Sequence, residues 1–294
     1  MKHSENFTTV SQRLGYKNPP KNIRRASGGC IHHSQIWEFE DGNRFFIKQN
    51  SKASANVLKA EFETLQEIRN THTVRCPEPF FFEVYEDIGA MLAMEYLDLQ
   101  SLGKESARNL GNRLALLHGI HAEQFGFSAP NFIGATPQSN TRSEDWAGFF
   151  WRERIHYQIR LASKNGYSFS NVNKLEKAVF RLLSERMPSP SLLHGDLWGG
   201  NAAALPDDTP VVFDPASYYG DPETDIAFTE VFGGFPREFY ESYCEHADWD
   251  RSGYAERKNV YNLYHYLNHL NLFGSGYYGS SAGIIEETIR RYGD

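Results

Sequence analysis

The chain has 294 residues, 40% hydrophobic and 23% charged, with 37 acidic against 30 basic side chains and a formal net charge of −7. This is apolar enough for a sizeable core in one large domain or two lobes, and the acidic balance argues against a nucleic-acid-binding face. No apolar run reaches the roughly 18 to 20 residues of a membrane span, MKHSENFTTV has no apolar core of a signal peptide, and Cys30, Cys76 and Cys244 make no disulfide framework, so a reducing cytoplasm is the expected compartment.

The first third reads mainly as strands. IWEFEDG and NRFFIKQN flank an Asp41-Gly42 turn signal and predict a β-hairpin. In KASANVLKAEFETLQEIR, residues 52–69, Val57, Leu58, Phe62, Leu65 and Ile68 recur at helical spacing. PFFFEVYEDIGAMLAMEYL then predicts two more strands around a turn near Asp87 to Gly89. From about residue 100 the pattern turns helical: SARNLGNRLALLHGIH, DWAGFFWRERIHYQIRLASK, NVNKLEKAVFRLLSER and NVYNLYHYLNHLNLF are helix candidates, and PVVFDP is a short apolar strand ending at Asp214. Strands with one helix, followed mostly by helices, predict a two-lobed α+β protein with an N-lobe over 1–95 and a C-lobe over 96–294.

LLHGDLWGGN, residues 192–201, carries the chemistry. It sets Asn201 five residues after Asp196, and Asp214 follows at a strand end. That spacing fits phosphoryl transfer, which needs cations to neutralise charge and a group to orient the nucleophile. Asp196 can accept a hydroxyl proton, while Asn201 and Asp214 can offer oxygen to Mg²⁺, a hard cation. Lys48, at the end of an apolar strand, suits the nucleotide phosphates. Its carboxylate partner is Glu61 or Glu63, with Glu61 favoured. Gly28 and Gly29 in ASGGCIHH offer backbone N–H groups to phosphate. In MEYLD, Glu95 and Leu97 are the expected interlobe hinge facing adenine. Cys30, beside the two glycines, is a candidate redox switch or intermolecular disulfide, because amide dipoles there can lower a thiol pKa. His265 and His269, four apart on a helix, have no carboxylate of a metalloprotease motif between them. They read as a packed or hydrogen-bonded face, with a role in shaping the substrate cleft left open. His194 reads as loop support.

With these parts in order, the chain resembles the fructosamine kinase (ketosamine-3-kinase) family within the protein-kinase-like and aminoglycoside-phosphotransferase-like enzymes. The likeness rests on HGDLWGGN, FDPASYYGDPETDIAFTEVFGGFP, YNLYHYLNHLNLFG, FGFSAPNFIGATPQSN and DWAGFFWRERIHYQIRLA. The resemblance implies ATP- and Mg²⁺-dependent phosphorylation of the 3-hydroxyl of a ketosamine, free or on a protein lysine, which destabilises the adduct and frees the amine. It implies Trp198 beside the sugar, and it leaves Asp221, Glu223 and Asp225 either attracting the substrate amine or bracing the catalytic loop. A monomer or a Cys30-linked homodimer is expected. Another small-molecule kinase, for an aminoglycoside or choline, and a nucleotide-binding pseudokinase are the alternatives.

Overall fold

The computed structural model describes residues 2–26, 33–247 and 249–293. Helix α1 (Lys2–Arg13) precedes strands β1 (Asn22–Arg25), β2 (His33–Glu38) and β3 (Arg44–Asn50). Helix α2 (Ala55–Asn70) crosses over to β4 (Pro79–Tyr85) and β5 (Gly89–Glu95). The five strands form one antiparallel sheet in the order β1-β2-β3-β5-β4. The Asp41-Gly42 hairpin forms as its sequence predicts. Gly42 takes φ +84°, and Asp41 Oδ1 accepts the Asn43 N–H at 3.0 Å. Gly89 opens β5 at φ +85°, where an added Cβ would lie 2.3 Å from the Asn50 carbonyl oxygen, so only glycine fits.

Strand alternation then places the site. Successive side chains point to opposite faces of a sheet. Ile47, Met91, Ala93 and Trp37 therefore bury with Val10 of α1 on the outer face. Lys48 and Leu92, paired across β3 and β5, face the other way. Leu92 and Met94 join the main core there with Leu58, Leu65 and Ile68 of α2. Helix α1 is an element that the strand reading of the first third does not anticipate.

The second lobe begins with α3 (Lys104–His118) and the small hairpin β6 (Asn131–Ile133) and β7 (Thr136–Gln138). Next come α4 (Trp146–Phe150), a π-helical turn over Trp151–His156, and α5 (Tyr157–Lys164). The segment that reads as one continuous helix is thus wound wider at its centre. Helix α6 (Val172–Leu183) leads to β8 (Ser191–Leu192), the hairpin β9 (Ala202–Ala204) and β10 (Pro210–Val212), and β11 (Tyr219–Gly220). Helices α7 (Glu223–Thr229), α8 (Arg237–His246), α9 (Tyr254–Phe273) and α10 (Tyr278–Tyr292) complete the lobe. The Val212 N–H donates to the Arg75 carbonyl at 2.9 Å and so ties the two lobes, while Gln100 and Ala204, within the second lobe, exchange backbone bonds of 2.8 Å. No helix among the described residues is long and apolar enough to cross a membrane.

Candidate active site

Lys48 is buried, and its Nζ donates to Glu61 Oε1 and to Asp214 Oδ1, both at 2.6 Å. Burial alone would lower the lysine pKa, but the carboxylates of Asp214 and Glu61 outweigh it and hold the ammonium above its ordinary value. Glu61 lies on the buried face of α2. Burial pushes its carboxyl up against the pull of Lys48. Glu63, two positions along, points outward and pairs with Lys59 at 3.6 Å, with about half of its side chain exposed. The geometry therefore pairs Lys48 with Glu61.

Asp196 and Asn201 lie on the loop between β8 and β9. Asn201 Nδ2 donates to the Asp196 carbonyl at 2.8 Å and to Asp196 Oδ2 at 3.1 Å. With its amino group so used, the amide has only Oδ1 to offer a cation. The Phe213 N–H donates to the Asn201 carbonyl at 3.0 Å, which sets Asp214 beside Asn201 at the end of the β9–β10 hairpin. Burial, then the nearby Asp214 charge, pushes the Asp196 carboxyl up to about 8, opposed by the Asn201 hydrogen bond. Its side chain stays 19% exposed. Among the described residues, no cluster of three or more His, Cys, Asp or Glu side chains forms a metal cage. One carboxylate and one amide oxygen instead suit an ion that takes its other contacts from phosphate and water, which is how Mg²⁺ commonly binds.

The glycines of the loop have distinct local reasons. Gly195 takes φ +82°, and a Cβ there would lie 2.2 Å from the Ala216 carbonyl oxygen. Gly200 sits against Trp198, whose ring would be 2.3 Å from an added Cβ. The half-buried Trp198 meets Phe232 edge-to-face at 5.6 Å. His194 ties the two loops together. Its Nδ1 accepts the Asp196 N–H at 3.3 Å, and its Nε2 donates to the Phe213 carbonyl at 3.0 Å. Burial keeps this ring below its ordinary pKa and so neutral.

The acidic cluster does something different from attracting an amine. Asp225 accepts the backbone N–H groups of His194 at 2.7 Å and Gly195 at 2.8 Å, and its Oδ2 lies 3.2 Å from His118 Nε2. It braces the loop that carries Asp196. Asp221 is fully buried and held by Arg186 at 3.0 and 3.2 Å and by the Tyr261 hydroxyl at 2.8 Å. Glu223 is fully buried between Arg257, at 2.7 Å, and the Trp249 N–H, at 3.1 Å. The expected contact of Asp221 and Glu223 with substrate is therefore corrected. Both carboxylates are neutralised inside the lobe, because buried charges require partners.

At the hinge, Glu95 ends β5. Its N–H donates to the Glu78 carbonyl at 2.8 Å and its carboxylate pairs with Arg75, so that N–H is not free for adenine. Leu97 is half-buried in the coil that follows. Gly28, Gly29 and Cys30 lie outside the described residues. Cys76 is buried and its thiol is pushed up to about 12 by burial, which leaves it inert. Cys244 is partly exposed.

Two parts of the site escape sequence reasoning. Gln138 and Asn131 of the β6–β7 hairpin donate to the carbonyls of Ala216 (3.0 Å) and Ser217 (2.7 Å), anchoring the chain just after Asp214. Arg154, on the π-helical turn, is fully buried. Its guanidinium donates to the Ser139 carbonyl at 2.6 Å and to Asn140 Oδ1 at 2.7 Å, and lies 3.9 Å from the Tyr218 ring centroid. Both lie in segments that carry the resemblance, FGFSAPNFIGATPQSN and DWAGFFWRERIHYQIRLA. That was the only available signal, since neither residue type is diagnostic alone.

A small β lobe and a larger helical lobe meet over a buried Lys–Glu pair, with a loop Asp–Asn pair and a further Asp at a strand end. These features define a protein-kinase-like phosphotransferase. The family model for fructosamine kinase matches residues 3–291, and the chain belongs to that family. It is 39% identical over 284 residues to a "Probable ketoamine kinase" of Synechocystis, covering 96% of this chain and 95% of the relative. It is 36% identical over 274 residues to the "Protein-ribulosamine 3-kinase, chloroplastic" of Arabidopsis thaliana, covering 91% and 82%. A crystal structure from Haemophilus somnus, whose name proposes a fructosamine-3-kinase, superposes with a TM-score of 0.89 at 27% identity, covering 96% of each chain.

Proposed function

We propose that this kinase transfers the γ-phosphoryl group of ATP to the 3-hydroxyl of a ketosamine. The observation that carries the reading is the unbroken polar line from Glu61 through Lys48 to Asp214, with Asn201 and Asp196 alongside. Lys48, held forward by Glu61, binds the α- and β-phosphates. Asn201 and Asp214 would hold Mg²⁺, which when bound would supply positive charge to offset that of the phosphates. Asp196 orients the sugar hydroxyl and accepts its proton. The hydroxyl oxygen bonds to the γ-phosphorus, the bond to the bridging oxygen breaks, and ADP leaves. The face of Trp198 packs on the C–H side of the sugar. Elimination of inorganic phosphate from C3, followed by hydrolysis of the carbon–nitrogen link by water, then releases the free amine.

The seam between lobes is taken after Glu95, with the chain from Tyr96 to Leu97 along the adenine edge. The sequence offers the backbone N–H groups of Gly28 and Gly29 to the phosphates and Cys30, next in the chain, as a candidate redox switch. The three cysteines and the ATP requirement suit the cytoplasm. The relatives' names point to ribulosamine- and ketoamine-type substrates. Incubation with ATP, Mg²⁺ and a panel of synthetic ribulose- and fructose-lysines, followed by phosphorus NMR, is expected to give a sugar 3-phosphate. ATP turnover that no ketosamine stimulates would refute the assignment.

A further inference from the structure

His265 takes no part in the reaction as described above, yet its environment is hard to explain by packing alone. It projects from α9, is 5% exposed, and stacks flat on Phe228 of α7 with ring centroids 3.5 Å apart and planes 3° from parallel. Tyr264 meets its edge at 5.1 Å. Its Nδ1 is shut away from water and has no hydrogen-bond partner among the described residues. A residue wanted only for the stack would be better as phenylalanine, because a buried nitrogen without a partner is destabilising.

The unpartnered nitrogen lies 3.8 Å from Asp196 Oδ1. The other oxygen of that carboxylate already accepts from Asn201. The ring itself is neutral: burial first, then the neighbouring His269 and the Arg154 cation, hold its pKa well below the ordinary value. The contact is therefore not an ion pair. Closing it by about 1 Å would give an ordinary N–H···O bond, within the adjustment that catalytic hydrogen bonds make when substrates bind.

We propose that His265 is a positioning residue: its Nδ1–H hydrogen-bonds Asp196 Oδ1 when substrates fill the cleft, so that Asn201 and His265 hold the catalytic carboxylate from both sides. The inference rests on Asp196 being the base. The substrate hydroxyl proton goes to Asp196, and His265 keeps its own. Fixing both oxygens limits rotation of the carboxylate and aims a lone pair at the hydroxyl, the kind of positioning that phosphoryl transfer depends on.

Two substitutions separate this role from packing. His265→Phe keeps a ring for the Phe228 stack but has no donor. His265→Asn loses the ring but places an N–H donor near the position of Nδ1. The expected result is a kcat lower by roughly 10- to 100-fold for His265→Phe, as for loss of a hydrogen bond to a charged group. KM for ATP and ketosamine should stay within about threefold, since the bond acts on the base and not on binding. His265→Asn should recover most of kcat despite a lower Tm. A merely structural residue would give the opposite ranking, and Phe at or above Asn in kcat overturns the proposal. Asp196→Asn is the control: normal turnover there removes the base assignment itself, whereas an inactive Asp196→Asn beside a fully active His265→Phe removes only the role of His265.

Discussion

At the residue scale the buried charges of the site and of the lobe beneath it tolerate burial because they are paired. Lys48 has two carboxylates, Asp221 has Arg186, and Glu223 has Arg257. Removing one member strands the other, which typically costs about 3–5 kcal/mol for a buried pair. Glu61→Gln should therefore lower both Tm and kcat/KM for ATP, the latter at least about tenfold. Glu63→Gln should change neither, because an exposed helix pair contributes only about 0.3–0.5 kcal/mol. Thermal melts and steady-state kinetics on the two variants check this directly, and equal effects would break the pairing. Asp196→Ala should reduce kcat by about 10² to 10⁴, as loss of a catalytic base does, with MgATP affinity by calorimetry changed no more than a few fold.

At the scale of elements, the loop from β8 to β9 has its shape set by backbone constraints from outside it. Asp225 of α7 fixes the peptides of His194 and Gly195, and His194 fixes Phe213. The paired glycines 199 and 200 look equivalent in sequence and are not. A methyl group at Gly199 meets nothing within 4 Å, while one at Gly200 runs into the Trp198 ring. Gly199→Ala should leave kinetics near normal. Gly200→Ala should displace the indole and raise KM for the ketosamine several-fold with KM for ATP unchanged. Measuring both constants for both variants tests the placement of Trp198 at the sugar, and no change in Gly200→Ala would contradict it. The π-helical turn belongs to the same scale. It brings the Arg154 guanidinium against Tyr218 and, at 5.6 Å, Tyr264, a set that a regular 3.6-residue pattern did not suggest.

At the scale of the whole molecule, two buried histidine rings must stay neutral. His265 and His194 both have folded pKa values depressed by burial, against about 6.5 in the unfolded chain. Below that pH the unfolded chain takes up protons that the folded rings refuse, so stability falls with pH, by up to about 1.4 kcal/mol per unit for each ring, until the folded values are reached. Replacing His265 with Asn should flatten the decline of Tm below pH 6.5 relative to wild type, and parallel curves would show that this ring does not titrate as argued. The lobes share one core across the cleft, with Leu58 and Leu65 of α2 in the same cluster as Leu192 and Leu197. The sequence therefore shows two lobes by pattern more sharply than packing separates them. By itself it determined the kinase-like order of elements and the family, and it singled out Lys48, Asp196, Asn201 and Asp214, because loop spacing and strand or helix periodicity are local properties. The tertiary structure alone decided between Glu61 and Glu63, turned Asp221 and Glu223 inward onto arginines, and set His265 beside Asp196, 69 residues away in the chain. Those outcomes depend on which buried charges meet across the fold, and no local pattern encodes that meeting.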